Sequence, residues 1–220
     1  MKGKTLLRKS ALVFIALALV FTSVAVSAEP VSAATKTIKS TTYNQVIVSK
    51  STAYCAMGNT IKKVNLNTGK VTTLYKDISE YMECGEMILK GDYLYFTAKC
   101  NGVILRRVSV KNKKCVTIDS GLNIRNIGIS GKKLYYTADY GAKYPNKKGV
   151  KMVASLSGKN MKKTSVKVSE KKLKTNKKGY KVTGKATGKK TSDDAEQFKY
   201  TLVKPGDDIS LGTLWLRQMM

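Results

Sequence analysis

Lysine is the residue type this chain concentrates. Thirteen lysines fall between Lys159 and Lys190, with Glu170 the one acid among them. Amines at that density attract phosphates and carboxylates through their summed field. Lys162, Lys163, Lys171, Lys172, Lys174, Lys177 and Lys178 are therefore the candidate anion-binding residues. A charge run also serves simply as solvated surface. Nucleic acid is the poorer partner, because Tyr180 is the one aromatic in the stretch and single strands need stacking platforms.

The other reactive types point away from catalysis. The chain has no histidine, which closes the Ser-His-Asp and Cys-His routes. No Ser-x-x-Lys element sits on a plausible helix, and no glycine-rich phosphate loop is present. Carboxylates gather at Asp77, Glu80, Glu83 and Glu86, and again at Asp193-Asp194 and Asp207-Asp208. Turn formation and solubility explain those positions without chemistry. The reading is a non-enzyme with no catalytic residue, no cofactor and no metal.

Four cysteines, Cys55, Cys84, Cys100 and Cys115, offer two disulfides in three connectivities if the compartment is oxidising. Their spacing contains no Cys-x-x-Cys pair, so zinc knuckles are not expected. The other outcome is free thiols buried as small apolar groups. Cys55, Cys84 and Cys115 all fall where sister repeats carry apolar or aromatic residues.

Those repeats are the elements that must position everything else. Gly91-Asp92-Tyr93-Leu94-Tyr95-Phe96-Thr97-Ala98 returns as Gly131-Lys132-Lys133-Leu134-Tyr135-Tyr136-Thr137-Ala138, forty residues on. Each unit opens with an apolar strand (46–48, 87–89, 127–129) and continues with an aromatic one (53–56, 94–97, 134–137). An alternating strand (61–66, 105–110, 150–156), a turn and an outer strand (71–74, 115–118) complete it. Residues 166–211 read as a degraded fourth unit. Without a gap, Phe198 falls on Ile61, Gly206 on Gly69 and Leu211 on Leu74, while Gly184 to Ser192 reads as an exposed hairpin loop. Residues 77–86 have a mildly helical look but serve better as a link between units. Short strands with period-two polarity and turns every 8 to 12 residues predict an all-β fold of antiparallel four-stranded blades. A period of about 40 residues predicts a β-propeller or a propeller-like open array of about four repeats. The units run over 43–80, 81–120, 121–165 and 166–211, with a linker at 35–42 and a tail at 212–220.

The pattern Gly-x-x-Leu-Tyr-(Phe/Tyr)-Thr, followed by an alternating Ile/Leu-basic-basic-Val strand, resembles the low-density-lipoprotein-receptor-like β-propeller repeat. That repeat also occurs as a domain of unknown function in secreted Gram-positive bacterial proteins. Tyr135-Tyr136-Thr137-Ala138-Asp139 echoes its Tyr-Trp-Thr-Asp element, with Tyr in the second place and one inserted residue. The resemblance implies a propeller and no particular ligand. Receptor propellers of this type have six blades against the four units here. The expected outcomes are a four-bladed ring, an open arc, or a piece of a longer protein. An open arc leaves strand edges bare and invites self-association.

Residues 1–34 read as a signal peptide. Lys2, Lys4, Arg8 and Lys9 precede an apolar run from Ala11 to Val26, then the small-residue sites Val26-Ser27-Ala28 and Val31-Ser32-Ala33-Ala34. The run is shorter than the roughly 20 residues a spanning helix needs. Residues 1–34 hold four basic residues and one acid, so the formal charge falls from +27 to +24 on their removal. The expectation is a secreted protein with no transmembrane segment after cleavage. It binds at the bacterial surface, through anionic cell-wall polymer or a surface protein. The rival expectation is a structural protomer that completes a larger propeller.

Overall fold

Two adjacent side chains in the second strand of each repeat set the architecture, because a strand turns successive residues to opposite faces. The computed structural model describes residues 36–38, 42–78, 83–99, 101–141, 149–169, 172–175, 177 and 179–216. The signal segment expected at 1–34 lies outside the described residues. The chain is all-β and built mainly of antiparallel sheets.

The first four-stranded sheet comprises β2 (Thr42–Ser49), β3 (Thr52–Met57), β4 (Thr60–Asn65) and β5 (Val71–Lys76). The second comprises β6 (Glu83–Lys90), β7 (Tyr93–Lys99), β8 (Val103–Ser109) and β9 (Cys115–Gly121). The third comprises β10 (Asn123–Ser130), β11 (Lys133–Asp139), β12 (Val150–Ser155) and the two-residue β13 (Lys162–Lys163). The fourth has three strands, β16 (Lys181–Lys190), β17 (Glu196–Val203) and β18 (Ile209–Leu216). One antiparallel pair, Tyr43 with Met87, joins the inner strands of the first two sheets.

The sheets stack face to face around three cores. Tyr54 of β3 and Phe96 of β7 share the core between the first and second sheets, with Ile61, Leu74 and Met87. Tyr95 of β7 and Tyr136 of β11 share the core between the second and third sheets. Cys55 of β3 faces the other way, into a core with Val182, Leu202, Ile209 and Leu211 of the fourth sheet. The first residue of each pair thus points to the following sheet and the second to the preceding one. The sheets are ordered fourth, first, second, third, and no core cluster among the described residues joins the third to the fourth. This is a propeller-like open array. Each fully buried aromatic or aliphatic side chain contributes roughly 1.5–3 kcal/mol, and a lone four-stranded sheet could bury one face at most.

Turn chemistry repeats with the sheets. The Asn65 side chain accepts hydrogen bonds from the backbone N–H groups of Asn67 (2.9 Å) and Thr68 (3.2 Å). The Ser109 hydroxyl does the same for Lys111 (3.4 Å) and Asn112 (3.3 Å). The left-handed residue closing this turn is Gly69 (φ 69°), Lys113 (φ 62°) and Gly158 (φ 85°), and Gly206 (φ 92°) holds the same place in the fourth unit. Glycine takes this conformation without a Cβ penalty, whereas Lys113 adopts it at a cost.

Several boundaries differ from the sequence expectation. Residues 83–86, expected within a link, open strand β6. Gly184 to Lys190, expected as a loop, continues strand β16, and the turn falls at Thr191 to Ala195. Gly212 to Leu216, expected as tail, belongs to β18. The linker expected at 35–42 contains β1 (Thr37–Ile38), which pairs in parallel with β14 (Lys167–Val168) and lies with it beside the third sheet. β15 (Lys172–Thr175) pairs in parallel with β2. These two pairings take β14 and β15 out of the fourth sheet, which among the described residues has three strands rather than four. Among the described residues no helix is long and apolar enough to cross a membrane.

Candidate functional site

The fourth sheet covers the first with one face and leaves the other open. Val182, Leu202 and Ile209 are cross-strand neighbours on the covered face. Gly184 sits beneath Tyr200, where a Cβ would come within 2.9 Å of Cε1 of the ring. Alternation then fixes the open face. β16 contributes Thr183, Lys185 and Thr187, β17 contributes Gln197, Lys199 and Thr201, and β18 contributes Ser210, Thr213 and Trp215.

These residues form three rows across the sheet. Lys185 is directly opposite Lys199, which is opposite Thr213. Thr183, Thr201 and Ser210 form the row on one side. On the other, Trp215 is opposite Gln197, whose Oε1 accepts a hydrogen bond from the Thr187 hydroxyl at 3.0 Å. Both lysines are exposed. Among the described residues the ion pairs are Arg106–Asp77 and Lys111–Asp92, so neither lysine is in one. Like charges directly opposite across an antiparallel pair destabilise a sheet. Threonine and serine hydroxyls around them can donate to or accept from a bound group. A depression of about 420 Å³ lies here, lined by Thr183, Lys185, Thr187, Lys199, Thr201 and Asp208 among others.

A second cavity, of about 490 Å³, opens where the inner strands β2, β6 and β10 meet. Gln45, Glu86, Lys99, Asn123 and Arg125 are among its lining residues. Buried Glu86 accepts backbone hydrogen bonds from Asn126 (3.4 Å) and Ile127 (3.2 Å) at the bulge in β10. Its own N–H donates to the Thr97 hydroxyl at 2.9 Å, at the matching bulge in β6. Bulges aim these groups at one another, so the carboxylate ties the second sheet to the third.

The lysines expected to act together are distributed over several elements. Lys162 and Lys163 are exposed on β13, at the outer edge of the third sheet. Lys172 and Lys174 belong to β15, beside β2. Lys177 lies over the Tyr180 ring, 5.1 Å from its centroid. Lys171 and Lys178 lie outside the described residues. The facing pair Lys185 and Lys199 was missed as a unit. Lys199 lies beyond the dense run, although the gapless alignment of the fourth unit puts it on Lys62 and so on a strand.

Cys55, Cys84 and Cys115 are free thiols, so the expected two-disulfide framework is not formed; Cys100 lies outside the described residues. Burial alone pushes the Cys55 thiol up to about 12. Burial, then the charge of Asp77, pushes Cys84 well above the ordinary thiol range. Both stay protonated near neutrality and behave as small apolar groups rather than nucleophiles. Tyr75 donates to Asp77 at 2.5 Å, and Arg106 reaches the same carboxylate oxygen at 2.6 Å while also donating to the Tyr75 hydroxyl. Burial first, and then the hydrogen bond to Asp77, hold the Tyr75 hydroxyl above its usual range. This cluster clamps the first sheet to the second. Among the described residues no group of three or more Cys, Asp or Glu side chains could hold a metal ion.

No family model matches this chain, and no curated protein matches it. Solved structures that are similar include a computationally designed protein, Ika8, at 12% identity and a TM-score of 0.43, covering 79% of this chain and 45% of that one. The N-terminal domain of Nup159 is similar at 12% identity and a TM-score of 0.40, covering 82% and 46%. Oligogalacturonate lyase in complex with manganese is similar at 12% identity and a TM-score of 0.36, covering 74% and 50%. The chain spans about half the length of these solved chains, or less.

Proposed function

We propose that this chain is an exported, non-enzymatic propeller-like module that binds anionic polymer at the bacterial surface through the open face of its fourth sheet. The observation that carries the reading is Lys185 directly opposite Lys199 on an uncovered face. That arrangement costs stability when the face is empty, and an anion lying between the two ammonium groups offsets the repulsion. The formal charge of +24 that remains when residues 1–34, four basic residues and one acid, are removed from the +27 chain adds a long-range attraction to any polyanion. The leader-like residues 1–34 support delivery outside the cell.

Binding to purified Gram-positive walls, intact and stripped of anionic polymers, across a salt series tests the reading. Retention on intact walls that weakens steeply with salt and disappears on stripping is expected. The double substitution Lys185→Gln with Lys199→Gln should weaken retention more than Lys162→Gln with Lys163→Gln. Equal effects from the two pairs would remove the fourth sheet from the reading.

One feature favours a second reading, a protomer that completes a larger assembly. β18 has the sequence Ile-Ser-Leu-Gly-Thr-Leu-Trp-Leu, without charge or proline, and it pairs on one side with β17. Edges of that kind add strands. Concentration-dependent assembly that is insensitive to salt supports this reading over the first.

A further inference from the structure

We infer that the polymer read by the fourth sheet is an anionic glycan: Trp215 stacks on a sugar ring while Lys185 and Lys199 hold the anionic group of a neighbouring unit. This inference rests on the proposed binding face and names what that face takes.

Trp215 is the sole tryptophan of the chain. Its neighbours Leu214 and Leu216 turn inward against the first sheet. A Cβ placed on Gly58 would come within 2.8 Å of Leu216 Cδ2 and 3.4 Å of Leu214 Cδ1. The strand therefore turns two half-buried leucines toward the first sheet and the larger indole to the other face, where it is 36% exposed. The part of the ring left uncovered is apolar surface that a bound ring can cover. Tryptophan is enriched among the residues that carry most of the energy of recognition surfaces.

The surroundings fit a sugar better than a bare polyphosphate. The indole presents an apolar face with a donor N–H at its edge. Beside it, the Gln197 amide and the Thr187 hydroxyl form a polar row. Thr213 belongs both to the lysine row and to a hollow of about 460 Å³ lined by Trp215, Lys76, Asp77 and Ile78 among others. Across the strands, Thr213 of that hollow is the direct neighbour of Lys199, which lines the hollow over the two lysines. With about 4.8 Å between strands and about 6.8 Å along two residues, the indole and Lys199 are rooted roughly 8 Å apart. Neighbouring units of one saccharide chain can occupy both positions. Polyphosphate has oxygens for the lysines, the amide and the hydroxyls but no apolar ring for the face of the indole.

The single tryptophan makes its own emission the reporter. The protein is titrated with alginate (a uronate polymer), inorganic polyphosphate and neutral dextran, following fluorescence and, in parallel, heat of binding. Alginate should shift the emission, and Trp215→Ala should weaken alginate at least tenfold while Trp215→Phe retains most of the affinity. Polyphosphate should bind with unchanged emission and be indifferent to Trp215→Ala. Circular dichroism establishes that each variant is folded. Alginate binding that leaves the emission unchanged and survives Trp215→Ala overturns the glycan inference and leaves the polyanion reading standing. Failure of both polyanions to bind overturns both, and dextran binding as tightly as alginate overturns the anionic requirement.

Discussion

Replacing the same repeat residue in three sheets tests the order of the stack. Tyr54, Tyr95 and Tyr135 are equivalent; the first two point to the following sheet, and Tyr135 points to the same side of the last one. Tyr95 is 1% exposed between the second and third sheets, and Tyr54 is 5% exposed between the first and second. Tyr135 is half-buried on the face of β11 turned away from the second sheet. Truncating a buried aromatic to alanine costs about 3–5 kcal/mol in lost transfer energy and residual cavity. The Tyr95 hydroxyl also donates to the Leu156 carbonyl at 2.9 Å, worth about 1 kcal/mol net. That carbonyl also accepts from Arg107 at 3.0 Å, so the added cost stays at the low end. Tyr95→Ala should therefore lose about 4 kcal/mol, Tyr54→Ala about 3 and Tyr135→Ala about 1, while Tyr95→Phe should lose about 1. For a chain of this size each kcal/mol moves Tm by about 2–4 °C, so Tyr95→Ala should fall by roughly 8–16 °C. Thermal and urea unfolding followed by circular dichroism measure these differences. Tyr135→Ala proving as costly as Tyr95→Ala would refute the open order, since Tyr135 could matter that much only with a fourth core beyond the third sheet.

Other consequences follow from the buried polar groups and the binding face. Cys55 should resist a thiol reagent at pH 8 until denaturant is added. Because folding raises its pKa from 9.0 to about 12, the folded chain keeps a proton that the unfolded chain releases. That contribution is present below about pH 9 and is lost as pH rises towards 12. Reductant should leave Tm unchanged, whereas a disulfide-dependent fold would lose about 2–4 kcal/mol per bridge. Arg106→Leu leaves the Asp77 carboxylate, whose side chain is 10% exposed, without its cation and should cost about 2–3 kcal/mol. The double change Arg106→Leu with Asp77→Leu should cost less than the sum of the two single changes in a double-mutant cycle. Wall retention should fall with salt and with the Lys185/Lys199 pair, and tryptophan emission should separate glycan from polyphosphate, in the assays given above.

The repeat was legible because its signals are local. An aromatic pair flanked by glycine turns, then an alternating strand with its own turn, specifies one sheet from about forty consecutive residues. Even the degraded fourth unit kept its register: Gly206 occupies the left-handed position of Gly69, and Leu211 the core position of Leu74. Legibility ended where pairing is between distant segments. Nothing in Thr37-Ile38 announces a partner in Lys167-Val168, so a paired strand read as linker. The stretch 184–190 read as a loop because an end sheet has one face in solvent, and Lys, Thr and Gly are acceptable there. Cys55 read as a disulfide candidate, yet its place is that of Phe96 and Tyr136, the backward-facing member of the pair.

The same end effect hid the candidate site. An interior sheet of this array must be apolar on both faces, which is why the second strands carry adjacent aromatics. The fourth sheet needs one apolar face, and its other face is free to vary in composition without loss of a core. Solubility alone would be met by any mixture of polar residues there. Two features go beyond that requirement: ammonium groups placed opposite one another, which oppose pairing, and an indole turned outward between two leucines turned inward. Both lie on an end face of the array, and the proposed anionic, ring-bearing partner would engage both. Density of lysine along the chain pointed to residues 159–190; the placement of strands selects Lys185 from that run and Lys199 and Trp215 from outside it.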